Sequence, residues 1–122
     1  MNNGIKQKIL IILNDPPYGT ERAWNALRLA ISLASGKGDE VRLFLLGDAV
    51  SCAKRGQETP TGYYNLERML KGASQRKAEI AACGTCLDAR GLKDEELVEG
   101  VRRSSLDELT SWTQWADKVL VF

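Results

Sequence analysis

The sequence predicts an α/β fold in which a mainly parallel sheet of about five strands lies between layers of helices. Short apolar runs of strand length alternate along the chain with longer segments whose apolar residues recur at helical spacing. This alternation is typical of parallel strands joined by right-handed helical crossovers. The 122 residues show no internal repeat, linker or low-complexity tract, so we expect one domain over residues 1–122.

Five apolar runs are predicted to form the strands. Residues 8–13 are continuously apolar after the first position, as expected for a strand buried on both faces of a parallel sheet. A turn that contains Pro16 and Pro17 then breaks this run. The remaining strands are predicted at residues 41–46, 78–82, 100–101 and 118–122.

Helices are predicted between these strands. In the first of them, Gly19 or Thr20 is expected to cap the helix, with Glu21 in its first turn opposing the dipole. Near the end of the chain, Ser105 and Glu108 form a capping-box pattern that predicts another helix start. Further helical segments are predicted at residues 49–53, 63–77, 83–90 and 94–98, and an exposed polar loop at residues 54–62.

Composition excludes several classes of function. The chain contains no histidine, which rules out Ser-His-Asp and Cys-His catalysis and histidine-ligated metals. Its net charge of +1 gives no electrostatic reason to expect a nucleic-acid or membrane partner. No glycine-rich nucleotide fingerprint is visible, so no nucleotide cofactor is expected. Zinc normally needs four ligands, and with three cysteines and no histidine no resident metal is expected within one chain. Without a signal peptide or a long apolar run, we expect a cytoplasmic protein whose thiols stay reduced.

The strongest functional candidate is the loop Cys83-Gly84-Thr85-Cys86, predicted between a strand and a helix. Backbone amides at a helix start favour a thiolate, and the thiolate is the nucleophile of sulfur chemistry. The C-x-x-C spacing matches the redox motif of thioredoxin-like proteins, so thiol–disulfide exchange is one interpretation. The others are a persulfide carrier, a metal site with only Cys52 as a third sulfur, and two structural cysteines.

Accessory residues are expected in the loops that follow strands, because ligands of parallel sheets bind beyond the carboxyl ends of the strands. Cys52 lies in such a loop beside Lys54 and Arg55, whose charges would activate its thiol; an incidental buried cysteine is the alternative. Free amides in the first loop would bind an anion, or would only form a turn with a helix cap. The residues of that loop are Tyr18, Gly19 and Thr20.

Five further segments follow one another in a specific order and spacing. They are residues 14–22, 45–50, 52–57, 63–70 and 82–91. Through them the chain resembles the DsrE/DsrF-like family of small sulfur-relay proteins over nearly its whole length. Relay members of that family carry a cysteine separated by six residues from an Arg-Gly pair, and Cys83 stands at this distance from Arg90-Gly91. The resemblance implies that Cys83 accepts sulfur as a persulfide. Independently of the resemblance, Arg90 is expected to add positive charge near Cys83.

The resemblance also implies a three-layer α/β/α sandwich that assembles as a homotrimer or homohexamer, with sulfur donor and acceptor proteins as partners. Cys86 lies outside the general pattern and indicates a branch with a Cys-Gly-Thr-Cys motif. Three hypotheses remain open. They are a sulfur-relay protein or sulfurtransferase that carries persulfide on Cys83, a dithiol oxidoreductase that uses Cys83 and Cys86, and a non-catalytic oligomeric scaffold with structural cysteines.

Overall fold

Five parallel strands form one sheet in the computed structural model, which describes residues 6–36, 38–59 and 65–122. Along the chain the strands are β1 (Lys8–Leu13), β2 (Glu40–Leu45), β3 (Glu79–Cys83), β4 (Val101–Ser104) and β5 (Lys118–Val121). Across the sheet their order is β4-β3-β2-β1-β5, and every neighbouring pair is parallel. The predicted parallel sheet of five strands is therefore confirmed.

Helices cover both faces of this sheet. They are α1 (Arg22–Ser35), α2 (Leu66–Gln75), α3 (Gly84–Ala89) and α4 (Leu106–Trp115), with 3₁₀ helices at Gly47–Ala53 and Asp94–Glu96. The chain steps in one direction from β1 to β4 and then returns to β5, so right-handed crossovers place α4 on the face opposite the other helices. Accordingly, α1 packs against α2, whereas Trp112 of α4 meets the Phe44 ring of β2 edge-to-face at 5.9 Å. The predicted three-layer fold is confirmed. Within the described ranges, every helix is too short or too polar to cross a membrane.

The core lies on both sides of the central strands. Leu10 and Ile11 are consecutive in β1 and point to opposite faces, and both are fully buried. This burial explains why the strand is apolar at successive positions rather than at alternate ones. The helical spacing of α1 predicts an apolar face of Ala23, Leu27, Ala30, Ile31 and Ala34. The first three are fully buried, and Ile31 and Ala34 are partly buried against the core.

The predicted start of α1 is wrong by about one residue. Glu21 occupies the cap position rather than the first turn, and its side chain makes no capping hydrogen bond. Thr20 lies one residue further back, where its hydroxyl donates to the Asp15 carboxylate at 2.9 Å and accepts a long bond from the Arg22 amide at 3.4 Å. Gly19 precedes it with φ of 104°, which is turn geometry and not a cap. The Thr20 hydroxyl, which was expected to cap α1, is therefore bound to the Asp15 carboxylate.

The second long helix also begins later than predicted. Asn65 has extended backbone geometry, and its side chain caps α2 by accepting a hydrogen bond from the Arg68 amide at 3.1 Å. The helix therefore starts at Leu66 and not at residue 63. It ends at Gln75, and Lys77, with φ of 70°, turns the chain into β3. Residues 60–64 lie outside the described part of the chain.

Two other predicted segments change in extent or contact. β4 runs over Val101–Ser104, so it is longer than the predicted residues 100–101. The loop predicted at 54–62 is tied down where it is described: Lys54 forms a β-bridge with Leu97, and the Arg55 amide donates to the Glu96 carbonyl at 2.9 Å. Residues 60–62 of that loop are not among those described.

The predicted capping box at α4 is half confirmed. The Ser105 hydroxyl accepts a hydrogen bond from the Glu108 amide at 3.3 Å, as the pattern requires. The Glu108 carboxylate does not return to Ser105, because it binds the Arg102 guanidinium and the Ser104 hydroxyl instead.

Candidate functional site

The Cys83-Gly84-Thr85-Cys86 motif lies at the carboxyl edge of the sheet. Cys83 is the last residue of β3 and also the cap residue of α3, so strand and helix join without an intervening loop. The neighbouring strand β2 ends at Leu45 and leads into the 3₁₀ helix that begins at Gly47. Parallel pairing of β2 with β3 therefore brings Gly47 beside the first turn of α3. The rule that parallel sheets bind ligands beyond their strand ends predicted this meeting of the two loops.

Gly84 makes the tight junction of β3 and α3 possible. A Cβ atom at this position would lie 2.9 Å from the Ser104 carbonyl oxygen of β4, closer than real Cβ atoms approach backbone atoms. On the same side, the Arg103 guanidinium donates to the Gly84 carbonyl at 3.1 Å and pairs with Asp88 and Asp94. Any side chain at residue 84 would therefore push α3, and both cysteines with it, away from the sheet.

Hydrogen-bond donors surround the Cys83 sulfur. Its side chain is only 8% exposed. The Cys86 amide donates to Cys83 Sγ at 3.4 Å, and the Thr85 hydroxyl lies 3.2 Å from the same atom. Burial alone would raise the pKa of Cys83, but hydrogen bonds from the Cys86 thiol, the Thr85 hydroxyl and the two backbone amides hold it below its ordinary value. This environment favours a thiolate on Cys83.

The pKa of Cys86 is shifted in the direction opposite to that of Cys83. Its side chain is half-buried, and its Sγ accepts a hydrogen bond from the Gly47 amide at 3.2 Å. Burial and the adjoining Cys83 sulfur raise the pKa of Cys86, while the Gly47 amide and the Arg90 charge oppose that rise. Both cysteines are free thiols. When one of the two thiols is ionised, the negative charge is therefore favoured on Cys83 and the proton on Cys86.

An ion pair fixes the end of α3 against the neighbouring 3₁₀ helix. Arg90 donates to the Cys86 carbonyl at 3.0 Å, and its guanidinium binds Asp48 Oδ1 through two nitrogens at 2.7 and 3.2 Å. The sequence predicts Arg90 near the thiols but does not predict its partner Asp48. The position of Asp48 in the sequence could have indicated this contact, because Asp48 follows β2 at the edge of the sheet where α3 begins.

Cys52 lies in a different environment. It is completely buried in the 3₁₀ helix, and its thiol donates a long hydrogen bond to the Asp15 carbonyl at 3.8 Å. Burial, together with the nearby Asp15 charge, raises the pKa of Cys52 to about 12. This shift is opposite in direction to the activation expected from Lys54 and Arg55, whose side chains are exposed. Cys52 is a protonated core thiol at neutral pH.

The first loop resembles an ordinary turn more than an anion site. The Thr20 hydroxyl and the Arg22 side chain both approach the Asp15 carboxylate, at 2.9 and 3.9 Å. An anion at this turn would meet that negative charge. Tyr18 is 40% exposed, and Gly19 supplies the positive φ of the turn. These contacts favour the turn interpretation for Tyr18, Gly19 and Thr20. Across the described ranges, no group of three or more Cys, Asp or Glu residues is arranged to hold a metal ion.

The fold and the site together define a class of protein. Its members are three-layer α/β proteins with a cysteine at the junction of the third strand and the following helix. The chain belongs to the DsrE/DsrF-like family, whose sequence model matches residues 7–122. It is 44% identical to Protein YchN of Escherichia coli K12 over 117 residues, which cover 95% of this chain and 99% of that protein. A protein of Methanopyrus kandleri is 39% identical over 93% of both chains.

Solved structures agree with this assignment. The crystal structure of the ychN protein from E. coli superposes with a TM-score of 0.87 at 42% identity, over 95% of this chain and 99% of that one. A protein from Methanobacterium thermoautotrophicum has a TM-score of 0.70 at 14% identity, and it shares the fold alone. The family resemblance seen in the sequence is thus confirmed.

Proposed function

We propose that this protein is a sulfur-relay protein that carries sulfane sulfur as a persulfide on Cys83. The observation that supports the proposal is the set of donors around Cys83 Sγ, which favours a thiolate at a nearly buried position. A thiolate is required to attack a sulfane sulfur, and a sheltered site protects the product from competing thiols. Membership of the DsrE/DsrF-like family supports the same chemistry.

The transfer step needs only the Cys83 thiolate and a persulfide donor. Cys83 Sγ attacks the outer sulfur of the donor, the donor S–S bond breaks, and the donor leaves as a thiolate. The sulfane sulfur keeps its oxidation state, so no additional oxidant is required. Delivery to an acceptor protein repeats this exchange, with the acceptor thiolate as the attacking group.

We place this relay in the cytoplasm, in a homotrimer or homohexamer that exchanges sulfur with separate donor and acceptor proteins. Apolar side chains at one edge of the sheet support self-association, since Val119 and Val121 of β5 are 39% and 66% exposed. Exposed apolar side chains of this kind are common at subunit contacts.

A dithiol oxidoreductase is the second candidate function. It is favoured by the hydrogen bond between the Cys83 and Cys86 thiols at the first turn of α3. This candidate requires a reversible Cys83–Cys86 disulfide. A redox titration over the range of cellular thiol buffers that finds no such couple would remove it.

The direct test of the relay is an intact-mass measurement on the Cys86→Ser variant. In this variant Cys83 is the one cysteine left in the Cys83-Gly84-Thr85-Cys86 motif. Anaerobic incubation with glutathione persulfide should add about 32 Da, and dithiothreitol should remove this mass. Reversal by dithiothreitol separates a persulfide from a sulfinic acid, which has nearly the same mass. The Cys83→Ser/Cys86→Ser double variant is the matched control. If both variants gain the same mass, or neither gains any, the proposal fails, and the scaffold hypothesis takes its place.

A further inference from the structure

We infer that Cys86 discharges the persulfide on Cys83 within the same chain, releasing hydrogen sulfide and leaving a Cys83–Cys86 disulfide. This inference rests on the proposed persulfide and adds a second fate for its sulfur. A relay cysteine without a neighbouring thiol can only pass its sulfur to an acceptor. A second thiol three residues away, on a residue whose amide donates to the first sulfur at 3.4 Å, gives the site its own reductant.

The geometry at the start of α3 brings the Cα atoms of Cys83 and Cys86 within the range that a disulfide spans. Cys83 caps α3 and Cys86 lies in its first turn, with its amide 3.4 Å from Cys83 Sγ. Ideal helix geometry places Cα atoms three residues apart at about 5 Å. Disulfides join cysteines whose Cα atoms are roughly 4.4–6.8 Å apart. The bridge can therefore form without opening the first turn of α3.

The discharge step balances without an external reagent. Cys86 Sγ attacks Cys83 Sγ, the bond between Cys83 Sγ and the outer sulfur breaks, and the outer sulfur leaves as HS⁻ with the proton of the Cys86 thiol. The sulfane sulfur is reduced to sulfide, and the two cysteine sulfurs are oxidised to a disulfide. Each loaded chain thus releases one sulfide.

Loading of Cys83 gives Cys86 a target for attack. The charge of a persulfide lies on its outer sulfur, so the Cys83 Sγ of a loaded chain is a neutral sulfur that can accept the bond from Cys86. The Gly47 amide lies 3.2 Å from Cys86 Sγ, and this donor and the Arg90 charge both favour the Cys86 thiolate. An empty Cys83 offers no such electrophilic sulfur, so Cys86 can react with it only in the loaded chain.

Access to the loaded sulfur favours the internal thiol. Cys83 is 8% exposed, so an acceptor must dock closely to reach it. Cys86 is already in place, and such intramolecular attack has a large effective concentration compared with a free thiol. Discharge should therefore dominate whenever no acceptor protein is bound, so that sulfide release limits the lifetime of the persulfide.

The test compares sulfide release from the full chain and its single variants. Each protein is loaded anaerobically with glutathione persulfide, desalted, and followed by sulfide assay and intact mass. The wild type should release about one sulfide per chain and end about 2 Da below its reduced mass, as a disulfide requires. Cys86→Ser and Cys86→Ala should release none and retain the adduct of about 32 Da. Cys52→Ala, which removes the buried thiol, should behave as the wild type.

Each failure has a separate signature. No adduct on either Cys86 variant overturns the proposed function itself. A stable adduct on the wild type, with no more sulfide than Cys86→Ser releases, overturns the discharge step and leaves the relay intact. A disulfide that forms without sulfide also overturns the discharge step, and it favours direct dithiol oxidation.

Discussion

Cys52 and Cys83 are both buried cysteines, with 0% and 8% of their surfaces exposed, yet their thiols have opposite properties. Burial, together with the nearby Asp15 charge, raises the pKa of Cys52 to about 12. Burial also acts to raise the pKa of Cys83, but amide, hydroxyl and thiol donors around its sulfur hold that pKa below its ordinary value. The comparison shows that hydrogen-bond donors at the sulfur can reverse the effect of burial, and that only Cys83 of these two thiols has enough of them.

The largest expected effect is the contrast in alkylation between these two cysteines. At pH 7, a pKa of about 12 leaves about one thiol in 10⁵ ionised, whereas a thiol with the ordinary value of 9.0 has about one in 100. Because the pKa of Cys83 lies below that value, iodoacetamide should label it at least about 1000 times faster than Cys52. Peptide mass spectrometry of the wild-type protein, with fragmentation to separate Cys83 from Cys86, measures both rates.

The pH dependence sharpens the same contrast. Labelling of Cys83 should be half-maximal below pH 9, while the rate for Cys52 should keep rising toward pH 12, because each thiol reacts only as its thiolate. In unfolding concentrations of urea the two rates should converge. Native rates within tenfold of each other at pH 7 would contradict the assignment of the two environments.

The next effect concerns the junction that holds Cys83 in place. Gly84→Ala should destabilise the protein by about 1–3 kcal/mol, because its Cβ would meet the Ser104 carbonyl. Gly72→Ala is the matched control: its Cβ would make only ordinary contacts with Arg76 and Ile31, so alanine in α2 should stabilise by about 0.5–1 kcal/mol. Urea unfolding midpoints measure both changes. Equal midpoints for the two variants would show that the junction tolerates a side chain.

The smallest effect isolates one donor of Cys83. Thr85→Val removes the hydroxyl that lies 3.2 Å from Cys83 Sγ, so the pKa of Cys83 should rise. One hydrogen bond worth about 1 kcal/mol corresponds to a roughly fivefold slower alkylation at pH 7. Thr85→Ser keeps the hydroxyl and should retain the wild-type rate. Equal alkylation rates of Cys83 in the Thr85→Val and Thr85→Ser variants would show that the hydroxyl does not influence the pKa of Cys83.

Hydrophobic periodicity in the sequence predicted the central strands of the sheet but not the extent of the edge strand β4. The central strands are buried on both faces, so their apolar runs are continuous and easily recognised. β4 contains Arg102 and Arg103, which no hydrophobic pattern would assign to a strand. Their charges are satisfied by Glu79, Glu108, Asp88 and Asp94. These partners lie on other elements, and no local pattern can reveal them.

The candidate site shows the same limit. Its location followed from the cysteine motif and the carboxyl-end rule, which together placed Cys83 and Cys86 correctly in the fold. The state of Cys52 could not be inferred in this way, because Lys54 and Arg55 are its neighbours along the chain but not its electrostatic partners. The tight 3₁₀ helix buries residue 52 and leaves residues 54 and 55 exposed.

The strand order has a consequence for the time at which the protein can fold during synthesis. β5 pairs with β1, and the Lys8 amide donates to Asp117, which lies 109 residues further along the chain. Until β5 has left the ribosome, the polar backbone of β1 has a partner on one side only. At about 5–20 residues per second, that edge stays open for several seconds. An open edge of an apolar strand is a template for aggregation, so nascent chains stalled before β5 should aggregate more readily than chains that include it.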